Sequence, residues 1–151
     1  MDMWSKARRS EMMAKIKSKG NKTTELRFLR LLRMNGVTGW RRHANLPGSP
    51  DFFFPVQKVA VFLDGCFWHG CAKCYREPTT NVSFWKQKVV GNRRRDRRNS
   101  KALRAIGIRV VRIWEHSLKS TKSSRLRLGG LIRMLGTIRP SNGTKAVSST
   151  A

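Results

Sequence analysis

Along residues 23–36, TTELRFLRLLRMNG, the apolar positions Leu26, Leu29 and Leu32 recur at helical spacing between a Thr start and a Gly36 stop. That spacing predicts an amphipathic helix with Glu25 in its first turn. Residues 46–55, LPGSPDFFFP, read as a turn-rich entry into an apolar strand whose length Pro55 limits. KVAVFLDG, residues 58–65, is nearly continuous in branched and aromatic apolar residues, as a strand buried on both faces requires. Its carboxyl end delivers Asp64 into the next loop. A long helix is predicted from about 81 to 106, stopped by Gly107 and open to a break or bend at Gly91. IRVVRIW, residues 108–114, alternates apolar with basic and reads as a further strand. Beyond it, SSRLRLGGLIRML is a weaker amphipathic helix, and RPSNGTKAVSSTA has the composition of a disordered tail. The order is helix, two or three strands, long helix, strand, helix, which predicts an α/β sandwich around a mixed sheet. In such folds active residues gather where strand ends meet loops, and Asp51 and Asp64 both lie at such places.

Charge narrows the function. Lys and Arg total 33 against 8 acids, for a formal net charge of +25. Such a surplus is self-repelling unless an anionic partner is normally present, and nucleic acid is the leading one. A polybasic membrane-surface protein has the same charge, but no apolar stretch here approaches the ~18 residues of a spanning helix. The amino terminus is charged from its second residue and lacks the apolar centre of a secretory signal, which points to the cytoplasm. The length fits one domain at residues 23–136, preceded by a basic arm at 1–22 and followed by the tail at 137–151. In the arm, Met13 and Ile16 lie one helical turn apart on the same side.

The stretch DGCFWHGCAKC, residues 64–74, holds all three cysteines, an odd and tightly clustered set that suits a metal site better than a disulfide framework. Cys66, Cys71 and Cys74 supply three of the four ligands a structural zinc takes, with three unligated thiols as the plain alternative. His69 and His116 compete for the fourth place. His69 sits two residues from Cys71 and has difficulty converging with Cys74, whereas His116 follows the last strand and would clip two distant loops together. With His116 as the ligand, His69 is free beside Asp64, with the ordinary titration range that suits proton transfer at neutral pH.

Glu11, Glu77 and Asp96 read as plain partners of nearby Arg or Lys. Asp51 opens one strand and Asp64 closes the next; antiparallel pairing would bring them together, and such a pair accepts Mg2+. Turn-capping is the alternative for each alone. Of the adjacent rings Phe67 and Trp68, at most one is easily buried, and Trp85 starts the long helix with Phe84. Rings exposed among positive charges can stack on bases or wedge between base steps, while core packing is the expectation for Phe84 and for Phe52 to Phe54.

SPDFFFP, VAVFLDGCFWHGCAKC, NVSFWKQKVVGNRRRDRRN and GIRVVRIWEHSL, in this order and spacing, resemble the very short patch repair (Vsr) DNA mismatch endonucleases over roughly residues 4–120. The resemblance implies a restriction-endonuclease-like, PD-(D/E)xK-related three-layer sandwich with a central mixed sheet and a structural zinc site. It implies a Mg2+-dependent endonuclease, a monomer acting on double-stranded DNA, possessing a strand-specific nick beside the T of a T:G mismatch left by 5-methylcytosine deamination, in company with other mismatch-repair proteins. Asp51 would be the principal Mg2+ ligand, with Asp64 and the Leu63 backbone carbonyl beside it. His69 would be the general base and Glu25 a support from the first helix. Zinc would sit on Cys66, Cys71, Cys74 and His116. Phe67, Trp68 and Trp85 would wedge from the major groove, Met13 and Ile16 would enter the minor groove, and Asn92 and Arg93 would contact DNA. Cys66 stands where the nuclease motif places its Lys, and some relatives carry His in place of Asp64 and Cys in place of His116. Two other readings stay open: a nuclease of the same kind with a different target, and a zinc-stabilised nucleic-acid-binding module without catalysis.

Overall fold

The structure is a computed structural model that describes residues 7, 8, 11, 21 and 23–136. Helix α1 spans Glu25–Met34, and strands β1, β2 and β3 follow at Arg41–Arg42, Phe52–Phe54 and Val59–Asp64. Helix α2 then runs over Val82–Ala105, strand β4 over Arg109–Trp114, a 3-10 turn over Glu115–Leu118, and helix α3 over Thr121–Gly136. The sheet order is β1-β2-β3-β4, antiparallel between the first three strands and parallel between β3 and β4. This is the mixed sheet and element order that the patterning predicts.

The alternation of β3 assembles two cores. Val59, Val61 and Leu63 join Phe28, Leu31 and Leu32 of α1 and Leu128, Ile132 and Leu135 of α3 on one face. Ala60 and Phe62 pack with Leu103 of α2 and with Ile108 on the other. Every residue of β3 is buried, which is why its sequence is apolar without a polar face. The β2–β3 register pairs Phe52 with Val61 and Phe54 with Val59.

Two expectations change. The buried stripe of α1 is Glu25, Phe28, Leu31 and Leu32, while Leu26 is 41 % exposed. The larger Phe28 ring meets Phe52 edge-on at 5.1 Å and takes the inward position, which turns Leu26 to solvent. Gly91 neither breaks nor bends α2 out of helix: nothing lies within 4 Å of a Cβ added there, and the helix continues for 24 residues. α2 buries only Val89, Asn92, Ser100 and Leu103, leaving Arg94, Arg95, Arg97, Arg98 and Lys101 exposed. No helix among the described residues is long and apolar enough to cross a membrane. Met13, Ile16 and the tail at 137–151 lie outside the described residues.

Candidate active site and metal centre

The loop after β3 is folded back on itself by backbone bonds from His69 N to Gly65 O (3.2 Å) and Cys71 N to Cys66 O (2.9 Å). α2 clamps it from outside. Asn92 Nδ2 donates to Trp68 O at 2.8 Å, and Arg93 donates through Nε to His69 O at 3.1 Å and through Nη2 to Gly70 O. Gly70 is required at this contact: its φ is +62°, and an added Cβ would sit 2.7 Å from Val89 Cγ1. The clamp revises the DNA contact expected of Asn92, which is 7 % exposed with its amide oxygen also taken, by Arg95 Nη2 at 3.0 Å.

Held this way, the loop brings Cys66, Cys71 and Cys74 together with His116 from the 3-10 turn, all four donor atoms within 4.8 Å of one another. Cys66 Sγ and Cys71 Sγ lie 3.4 and 3.5 Å from His116 Nδ1. A tetrahedral zinc with ordinary bond lengths sets sulfur and nitrogen ligands ~3.6 Å apart, so the set fits that ion. Burial pushes the Cys66 thiol up to about 12, so a bound cation is what would make it a thiolate. His69 is not in this group; His116 stands in the fourth place for which the two histidines competed.

His69 instead faces two carboxylates. Its Nδ1 is 2.6 Å from Asp96 Oδ2 and its Nε2 is 3.9 Å from Asp64 Oδ1. A carboxylate only accepts, so Nδ1 donates its N–H to Asp96, while Nε2, too far from Asp64 for a hydrogen bond, is the ring nitrogen left available to a substrate or water. Asp96 therefore does not serve as a partner of its flanking arginines; α2 turns it inward to His69 and to Arg112, whose Nη2 is 3.2 Å away. The sequence signal was there only as an acid at helical spacing from Asn92 and Arg93, hidden in a basic run.

Asp51 and Asp64 flank the same strand end without sharing a donor set. Asp64 is buried and bound by both arms of Arg112, Nε to Oδ2 at 2.7 Å and Nη2 to Oδ1 at 2.6 Å. A cation at Asp64 would have to displace that guanidinium, so the expected Asp51–Asp64 pair is replaced by a different group: Glu25, His43 and Asp51, with donor atoms within 4.8 Å of one another. Antiparallel pairing of β2 with β3 holds as expected, and Asp51 Oδ2 accepts the Leu63 N–H at 2.7 Å. Glu25, 2 % exposed, is satisfied by Arg42 Nη2 and by His43 Nε2 at 3.2 Å. Burial pushes the Asp51 carboxyl up to about 6; the Leu63 N–H and His43 oppose this, while Glu25 and Asp64 add to it. A buried carboxylate so short of positive charge is a fitting oxygen donor for a divalent cation. Nothing in the sequence pattern singles out His43.

Beside His69, Phe67 meets Trp68, Trp85 and Tyr75 with ring centroids 5.5, 5.1 and 5.8 Å apart, and Trp68 and Trp85 are 5.9 Å apart. Phe67, Trp68 and Trp85 are all half-buried. Phe84, expected in the core, is 58 % exposed at the edge of this cluster, 5.2 Å from Trp85. Helix geometry allows only one of two adjacent rings to face inward, and Trp85 takes that side.

Residues 1–76 match the family described as DNA mismatch endonuclease Vsr. The chain is 35 % identical over 134 residues to the Type II nicking enzyme V.NmeAIP of Neisseria meningitidis, covering 87 % of this chain and 94 % of that one. The chain belongs to the Vsr DNA mismatch endonuclease family. The Vsr protein of Escherichia coli K12, a DNA mismatch endonuclease, is 37 % identical over 120 residues, 78 % of this chain and 76 % of its own. A shorter match, 51 % identical over 68 residues, links 45 % of the chain to 41 % of the Type II nicking enzyme V.NaeI of Lentzea aerocolonigenes. Membership of the Vsr family makes this chain a DNA endonuclease with DNA as its partner, and implies a restriction-endonuclease-like fold for the mixed α/β architecture described above. The binding-module reading without catalysis falls away.

Proposed function

We propose that the protein nicks one strand of duplex DNA beside the thymine of a T:G mismatch, using a divalent cation, Mg2+ as expected, at Asp51 and a structural zinc on Cys66, Cys71, Cys74 and His116. The observation that carries this reading is the placement of His69, backed by Asp96 at 2.6 Å, on the same short turn as the aromatic cluster. The turn thus offers a base and a stacking surface within one rigid unit.

His69 Nε2 takes the proton of the attacking water, and Asp96 stabilises the imidazolium that forms by accepting from Nδ1. Arg112 neutralises Asp64 and braces Asp96, so the two acids stay fixed around the base. Asp51 and the Leu63 carbonyl would hold the cation, which would supply charge stabilisation at the phosphodiester. Glu25 supports Asp51 from α1. Phe67, Trp68 and Trp85 insert next to the mismatch and hold the duplex distorted, with Met13 and Ile16 of the arm approaching from the opposite groove. The exposed cations of α2, together with the donors of Arg93 not spent on the loop, track phosphates. The enzyme acts as a monomer in a repair pathway shared with other mismatch-repair proteins.

Because several relatives are Type II nicking enzymes, a nick directed by surrounding sequence rather than by mispairing is the second reading. Duplexes identical except for T:G or T:A at one position, incubated with the protein and Mg2+, decide between them. Nicking confined to T:G supports the proposal, and equal nicking of both duplexes refutes it in favour of the second.

A further inference from the structure

We propose that His43 is a third ligand of the cation held at Asp51, so that the site, which takes Mg2+ in the proposed reaction, binds a first-row transition ion such as Mn2+ more tightly. The inference rests on the reading of Asp51 as a cation ligand and extends it to the donor set and the kind of ion.

Three observations point to His43. Its backbone has φ 48°, a left-handed conformation for a residue with a side chain, at the end of the two-residue strand β1. Strain of this kind, about 1–3 kcal/mol, persists where surrounding structure enforces it and clusters at working sites. The main chain here is tied to Asp51: His43 N donates to the Asp51 carbonyl at 3.4 Å, which keeps the two residues side by side at the strand ends. Second, His43 Nε2 lies 3.2 Å from Glu25 Oε2, while neighbouring ligands of an octahedral ion at ~2.1 Å lie ~3.0 Å apart. Third, the donor atoms of Glu25, His43 and Asp51 all fall within 4.8 Å of one another. An octahedron's opposite ligands are ~4.2 Å apart, so the three close on one ion through small movements.

The charges suit a dication. Glu25 comes from α1, Asp51 from the start of β2, and Arg42 of β1 offsets part of their charge by binding Glu25 Oε2. Asp64 at the end of β3 adds to the negative field at Asp51. Without the ion, His43 Nε2–H donates to Glu25; on loading, the imidazole carries its proton at Nδ1 and turns the Nε2 lone pair to the metal. Mg2+ favours all-oxygen surroundings and gains little from imidazole, whereas Mn2+ and the later divalent ions gain from nitrogen.

The test uses the full zinc-loaded chain without DNA, titrated calorimetrically with Mn2+ and separately with Mg2+, and pulsed electron paramagnetic resonance of the Mn2+ complex. Wild type is expected to bind Mn2+ about tenfold or more tightly than Mg2+ and to show histidine nitrogen coupling to the bound ion. His43→Asn is expected to weaken Mn2+ binding by about 10- to 100-fold, leave Mg2+ binding nearly unchanged and remove the nitrogen signal. No nitrogen coupling in wild type, or unchanged Mn2+ binding in His43→Asn, overturns the role of His43. Asp51→Asn separates the two levels: if it loses both ions, the cation site survives even where His43 fails, and if it binds both as wild type does, the nuclease reading of this site fails as well.

Discussion

Replacing Asp51 with Asn should abolish nicking and at the same time stabilise the fold. Asn keeps the size of the side chain and an oxygen to accept the Leu63 N–H, and removes only the charge. Burial is the largest cause of the upward shift of the Asp51 carboxyl from 3.8 to about 6. A shift of about two units corresponds to about 3 kcal/mol between the protonation states. The sign follows from linkage: the folded chain holds this proton more tightly than the unfolded chain, so the contribution is fully present below pH 3.8 and is lost as pH rises through about 6. Above that pH the ionised Asp51 therefore destabilises wild type by up to about 3 kcal/mol, and the Asn variant escapes the loss. Urea unfolding at pH 8 in buffer free of added divalent ions should show Asp51→Asn more stable by about 1–3 kcal/mol, or about 4–12 °C in midpoint temperature. At pH 4 the two proteins should converge. Adding the divalent cation at pH 8 should stabilise wild type alone and narrow the gap. A variant no more stable than wild type at pH 8, or an advantage that persists undiminished at pH 4, would refute the reasoning.

Asp96→Asn should leave duplex affinity intact while lowering the single-turnover nicking rate by about a hundredfold or more, because His69 loses the acceptor that fixes its Nδ1 proton. Gly70→Ala should destabilise the fold by about 1–3 kcal/mol and depress nicking, since the new methyl meets Val89 at positive φ. Gly91→Ala, with open space at its Cβ, should raise stability by about 0.5–1 kcal/mol in the same urea titration. Trp68→Ala should reduce the ratio of T:G to T:A affinity more than it reduces affinity for matched duplex, measured by fluorescence anisotropy; equal losses would remove the wedge role. Affinity for matched duplex should fall steeply with added salt, and charge-neutral substitutions along α2 should flatten that slope.

The sheet was legible because its strands carry strong apolar runs: the buried strand β3 has a sequence with no polar face to mislead. The gathering of Cys66, Cys71, Cys74 and His116 was legible for a local reason, three cysteines in nine residues, with His116 following β4, which runs parallel to β3 and finishes beside it. Pairings between distant charges were not legible. Asp64 pairs with Arg112 only because Phe62 and Arg112 are register partners on β3 and β4, and Asp96 reaches His69 only because α2 crosses the loop. His43 escaped notice because its position depends on a left-handed backbone and on a strand of two residues, neither of which leaves a periodic trace. Of the three regularly spaced leucines of α1, Leu32 is buried and Leu29 packs partly against the core, whereas Leu26 is exposed because Phe28, off that spacing, takes the inward position.

On α2, Asn92, Arg93 and Asp96 touch the loop within little more than one helical turn, while the opposite side of the same turns is a row of exposed arginines. Under the proposed function, a duplex held by those arginines would bear on the same short stretch of helix that fixes His69 and Asp96, which would couple the seating of the strand to the position of the imidazole.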